Sequence, residues 1–231
     1  MEKRLTGLVL KAVDYKETDK IVTLLTLEEG KATIKLRGVR SAKSKLRFAS
    51  FPFFTGRFIL TQTKTGFVVT GVDPINRYDY LTLDLKYFYL GTLILEIADK
   101  LSVDGYQDEE LYNFTINKLE SLKNVDETTE EAMFTIKQAL DIAGHGLNTD
   151  YPENANGFSY DEGGLVNLSK TAGLRQSDGV IDSLKKLLKN EKVESKYIPQ
   201  VLSLLSSYFF VKTTKKLLSV EQIILMSDLI S

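Results

Sequence analysis

GKATIKLRGVRSAKSKLR, residues 30–47, carries Lys31, Lys35, Arg37, Arg40, Lys43, Lys45 and Arg47 and no acidic residue. Its first half alternates. A strand over residues 31–38 sets Lys31, Lys35 and Arg37 on one face and Ala32, Ile34 and Leu36 on the other. The second half, residues 39–47, has no apolar period and scatters Ser41 and Ser44 among its charges, the pattern of a mobile basic loop. Cations fixed on a strand beside cations on a loop suit a phosphate backbone. A solvated surface strand with its loop is the alternative for an isolated charge run.

Upstream, residues 4–15 are rich in β-formers, and alternation turns Leu8, Leu10 and Ala12 to a core and Val9, Lys11 and Val13 away from it. Residues 21–27, IVTLLTL, form a second strand, joined to the basic one by a short turn at Glu28, Glu29 and Gly30. Downstream lies an aromatic knot of Phe51, Pro52, Phe53 and Phe54. Strands over 57–63 and 67–72 then flank Lys64, Thr65 and Gly66, with Asp73 and Pro74 ending the sheet. Five short strands with an excursion between the third and fourth fit a small closed barrel of the OB type, with an SH3-like barrel as the structural alternative. OB barrels hold single strands by pairing a cationic groove with aromatic faces. The stacking candidates are Tyr15, Phe48, Phe51, Phe53, Phe54 and Phe58, most of which a small barrel needs as core.

These residues carry a resemblance. A first strand ending in Asp14 and Tyr15, Glu17 after it, Thr26 with Gly30, the segment 35–40, and Ser44 among basic neighbours resemble the N-terminal domain of the bacterial RecO family of recombination mediators. The match lies in order and spacing over about 50 residues. No single element of it is diagnostic.

Beyond residue 79 the pattern turns helical, giving two expected domains: 1–79, an OB-type barrel that binds nucleic acid, and 80–231, mainly helical. Helices are predicted over 80–103, nearly all-round apolar, over 108–122 with Asp108 as cap, and over 129–143. Three more follow over 177–188, 197–218 and 220–230, with Ser177 or Asp178 as a cap and Pro199 confined to a first turn. Tyr87, Phe88 and Tyr89 read as a core cluster. His145, the only histidine, lies between Gly144 and Gly146 and reads as part of a helix C-cap. Residues 150–168 interrupt the helices with a small β-hairpin around Gly163 and Gly164, so the fold class is α+β. Many RecO members carry a four-cysteine zinc motif there. This chain has no cysteine, so packing by Phe158, Tyr160 and Leu165 must hold the hairpin instead. The aromatic and basic run over residues 208–219 also resembles the family's C-terminal signature.

The net charge of −1 conceals a split. Residues 1–79 hold 15 Lys and Arg against 8 Asp and Glu, a charge of +7, and the remainder holds 15 against 23, or −8. That asymmetry points to a polyanionic partner for the basic half. A 43% hydrophobic content suffices for an ordinary core, no apolar run reaches membrane-spanning length, and the N-terminal run is too short for a signal peptide. The expected place is the cytoplasm, at the nucleoid. GxxxxGK, GxGxxG after a strand and HExxH are all absent. Cysteine nucleophiles are impossible, and no catalytic residue, cofactor or metal is expected.

RecO resemblance implies binding of single- and double-stranded DNA, annealing of complementary strands and help in loading RecA onto strands coated by single-strand-binding protein, with RecR as partner. By position the phosphate contacts fall to Lys31, Lys35, Arg37, Arg40, Lys43, Lys45 and Arg47. In the family the acidic, apolar-ended tail of the single-strand-binding protein docks on the helical part, where Phe134 and Lys137 share one helix. Two rivals stand beside this reading: a basic barrel serving as a scaffold on RNA or another anionic surface, and a metal-dependent nuclease.

Overall fold

The computed structural model describes residues 2–63 and 66–230. The chain divides into two compact units, residues 1–123 and 124–231. In the first, β1 (Glu2–Tyr15), β2 (Asp19–Thr26), β3 (Gly30–Leu36), β4 (Thr55–Thr63) and β5 (Gly66–Asn76) close into a barrel of order β1-β2-β3-β5-β4. All pairings are antiparallel except β3 with β5, which meet in parallel at Lys35 and Val68. This order is that of the OB barrel. Its core is filled by Leu5, Val9, Val22, Leu24, Ile34, Leu36, Phe54, Phe58 and Leu60.

The face assignment within β1 needs correction. Val9 faces the barrel core, opposite Leu24, because a bulge at Leu10 between Val9 and Lys11 resets the alternation and brings Ala12 back to the inner side. Leu8 and Leu10 are buried too, and Leu10 lines an outer cleft with Phe53, Phe88 and Leu95. Nor does the sheet end at Pro74. β5 continues to Asn76 paired with β4 alone, across a second irregularity at Thr55 and Gly56, where an edge strand tolerates a residue with no N–H. The expected turn at Lys64 and Thr65 lies outside the described residues.

The β2–β3 turn shows why Thr26 and Gly30 occur together. The buried Thr26 hydroxyl donates to the Gly30 carbonyl at 2.8 Å and accepts the Glu29 N–H at 3.1 Å. Gly30 has φ +63°, and a Cβ there would overlap the Tyr106 carbonyl oxygen.

After a 3-10 turn at Asp79–Thr82, α1 (Leu85–Leu101) starts at its cap Asp84, whose carboxylate accepts the Lys86 N–H at 2.9 Å. The helix therefore begins later than residue 80, and Leu83, 84% exposed, is not part of its buried face. Phe88 is exposed at the cleft rim rather than in a core cluster. α2 (Glu109–Ser121) is capped by Asp108, which accepts the Leu111 N–H at 2.9 Å.

The second unit contains α3 (Thr128–Ile142), a sheet of β6 (Gly157–Ser159), β7 (Gly164–Val166) and β8 (Leu174–Arg175), then α4 (Asp178–Leu188), α5 (Ile198–Thr213) and α6 (Ser219–Ile230). His145 lies in the α3 C-cap, its N–H donating to the Leu140 carbonyl at 2.8 Å. The hairpin is a three-stranded sheet of order β7-β6-β8. Phe158 packs edge-on to Tyr208 with ring centroids 5.6 Å apart, and Tyr160 stacks on Tyr208 at 6.2 Å. α5 stops at Thr214, where φ is +60°, instead of running to residue 218. Among the described residues no helix is long and apolar enough to cross a membrane.

Candidate nucleic-acid interface

Three segments of the barrel unit converge at one end of β3: the β1–β2 turn, residues 37–47, and the 3-10 turn Arg47–Ser50 with Phe51 after it. Asp19 ties the first two together. Its carboxylate accepts the Gly38 N–H at 2.9 Å and pairs with Lys35 Nζ at 3.2 Å. The Gly38 hydrogen bond, with help from Lys35 and Thr18, holds the Asp19 carboxyl below the usual range. Gly38 itself has φ +63°, which lets the chain leave β3 sharply.

Arg40 completes the clamp. Its N–H donates to the Thr18 carbonyl at 2.9 Å, its guanidinium donates to the Lys16 carbonyl at 3.0 Å, and it pairs with Asp14 at 3.1 Å. Short turns at Gly38–Ser41 and Ser41–Ser44 give the following segment a defined path. Residues 39–47, read from sequence as a mobile loop, thus have an anchored first half.

The seven cations differ in what they touch. Lys31 is turned onto α1, where its ammonium donates to the Asp99 carbonyl and lies 3.2 Å from the Asp99 carboxylate. Lys11 shares that carboxylate at 2.7 Å. Burial works against ionisation of Asp99, yet the two ammonium groups prevail and its pKa is lowered. Lys35 and Arg40 are engaged by Asp19 and Asp14. Arg37, Lys43, Lys45 and Arg47 are exposed and have no acidic partner among the described residues.

Of the aromatic candidates, Phe53, Phe54 and Phe58 are buried and Phe48 is half-buried, leaving Tyr15, 38% exposed, and Phe51, 47% exposed. Lys35 Nζ lies 4.5 Å from the Tyr15 ring centroid, and Lys20 Nζ lies 6.0 Å from that of Phe51. Asp14, Lys20, Val39, Arg40, Arg47, Ser50 and Phe51 line a polar cleft of about 310 Å³. Lys20 was missing from the sequence-derived contacts, and Phe51 was there only one of six stacking candidates, since their neighbourhood arises only when residues distant in sequence meet.

Comparison with known proteins finds relatives over this barrel. Residues 1–78 match the family model described as Recombination protein O N terminal. The barrel is similar to the RecO N-terminal family. The chain is 32% identical over 154 residues to the DNA repair protein RecO of Bacillus subtilis, covering 64% of this chain and 56% of that protein. Its namesake in Moorella thermoacetica is 32% identical over 120 residues, 52% of this chain and 45% of the relative. The one in Bacillus velezensis is 32% identical over 148 residues. The matched region thus spans about half the length of these RecO relatives.

Outside the RecO-type barrel, Phe134 and Lys137 lie three residues apart on α3, both half-buried. Lys137 Nζ donates to the Asn190 side chain at 3.2 Å, so the ammonium already has a neutral partner. Among the described residues no three His, Cys, Asp or Glu side chains are grouped to hold a metal ion. The small sheet is packed by Phe158, Tyr160 and Tyr208.

Proposed function

We propose that the chain is a DNA-binding mediator of recombinational repair, acting at the nucleoid without covalent chemistry. It binds single- and double-stranded DNA, anneals complementary strands and assists RecA loading onto strands coated by single-strand-binding protein, together with RecR. The observation that carries this reading is a set of four exposed cations, Arg37, Lys43, Lys45 and Arg47, free of carboxylates among the described residues, on an OB barrel where Arg47 lines a cleft with the exposed Phe51. Phosphates supply the charge these cations lack. Lys35 and Arg40 are held back from that set by Asp19 and Asp14, and Lys31 by Asp99. Phe134 and Lys137 form the proposed docking point for the acidic tail of the single-strand-binding protein.

The test is annealing of two labelled complementary oligonucleotides, one coated with single-strand-binding protein. Wild type accelerates the reaction, and a folded Arg37→Glu/Lys43→Glu/Lys45→Glu variant does not. Equal acceleration by both proteins would remove the basic segment from the mechanism. Magnesium-dependent loss of label would favour the nuclease reading, and preferential competition by RNA would favour the scaffold.

A further inference from the structure

We infer that the cleft between Phe51, Arg47, Arg40 and Lys20 seats one unpaired nucleotide, its base against the Phe51 ring and its phosphate at the Arg47 guanidinium. This deepens the DNA reading and rests on it. Arg47 and Phe51 leave opposite ends of one 3-10 turn, Arg47–Ser50. Ala49 and Ser50 anchor that turn by burial, and the Ser50 hydroxyl donates to the Arg47 carbonyl at 2.9 Å. The Phe51 N–H donates to the Phe48 carbonyl at 3.3 Å. Both residues therefore line one cleft from a fixed backbone, so little backbone ordering is needed when a base and its phosphate arrive.

The cleft has the polarity for that occupant. Lys20, Arg40 and Arg47 line it against one carboxylate, Asp14. Asp14 is shared by Arg40 at 3.1 Å and Lys20 at 3.8 Å, which leaves Arg47 for an incoming anion. Phe51 is also the freer of the two exposed rings, because the Lys35 ammonium already occupies a position 4.5 Å from the Tyr15 centroid. A volume of about 310 Å³ is at the small end of the roughly 300–1,000 Å³ typical of ligand pockets. That accommodates a single base, whereas a paired and stacked base is unavailable to it. The seat thus selects single strands, and pairing of the seated base with its complement empties it, so the annealed product is held only by phosphate contacts.

The test uses the full chain, the variants Phe51→Leu and Phe51→Tyr, and three probes: an oligothymidylate, an abasic strand of the same length and a duplex. Wild type prefers the thymidylate to the abasic strand by about tenfold, as one base–aromatic stack requires. Phe51→Leu, with its melting temperature checked against wild type, loses about that factor on the thymidylate alone, while Phe51→Tyr keeps it. Identical binding of thymidylate by Phe51→Leu and wild type overturns the seat. If Lys43→Glu/Lys45→Glu still weakens every probe in that case, the DNA reading survives without it. Absence of DNA binding by wild type overturns both.

Discussion

Asp19 sets the geometry of the basic segment and at the same time restrains one of its cations. Replacing it by Asn keeps an oxygen for the Gly38 N–H but removes the charge that holds Lys35 at 3.2 Å. Asp19→Asn is therefore expected to bind single strands more tightly and to steepen the log affinity against log salt plot by about 0.7, the contribution of one further phosphate contact. An unchanged slope would mean that Lys35 stays out of the contact set. The pH dependence has a definite sign. The folded-state pKa of Asp19 lies below its ordinary 3.8, so its stabilising contribution is present above 3.8 and disappears as pH falls through the lower folded value. The Gly38 amide resonance should hold its position from neutrality to about that ordinary carboxylate pKa and move only below it.

At the scale of elements, the β2–β3 hairpin is locked to the segment after α1. The Lys31 N–H donates to the Val103 carbonyl at 3.1 Å, and the Gly105 N–H returns to the Lys31 carbonyl at 3.1 Å. Gly30→Ala must both hold a left-handed backbone and push the Tyr106 carbonyl aside. The expected cost is about 2–4 kcal/mol in urea unfolding, with the denaturant slope unchanged. A loss below about 1 kcal/mol would show that the hairpin tip yields easily.

Much of this level was legible in the sequence. The five strands followed from β-rich runs bounded by polar turns, and Asp108 and Pro199 marked helix starts. The inner face of β1 was not legible, because a bulge at Leu10 resets a period of two without any local composition signal. The third strand of the small sheet, Leu174–Arg175, was too short to show a period of its own. α5 ended early because Thr214 adopts a left-handed conformation that glycine usually marks, leaving the sequence without its customary stop signal.

For the molecule as a whole, charge is divided unequally along the chain, +7 over residues 1–79 and −8 over the rest, which the sequence showed plainly. Which cations are free was hidden, since Asp14, Asp19 and Asp99 are distant in sequence from the lysines and arginine they engage. Burial also records itself in the tyrosines of the first unit. Removal from water pushes both Tyr78 and Tyr112 up to about 12, with Glu120 adding to the effect at Tyr78 and Glu28 at Tyr112. Their neutral forms are favoured by folding, so this contribution to stability is complete below pH 10.0 and is lost as pH rises through about 12. Absorbance at the phenolate band should show these two ionising at about 12 rather than at their ordinary 10.0. Ionisation of both near their ordinary 10.0 would indicate a first unit open to water.

The central claim, that Arg37, Lys43, Lys45 and Arg47 form the phosphate-binding set, is tested most directly by single-strand affinity across a salt series. Four contacts at about −0.7 each predict a slope near −2.8 for wild type, falling toward zero in Arg37→Gln/Lys43→Gln/Lys45→Gln/Arg47→Gln. A flat wild-type response, or a quadruple variant with the wild-type slope, would contradict the account.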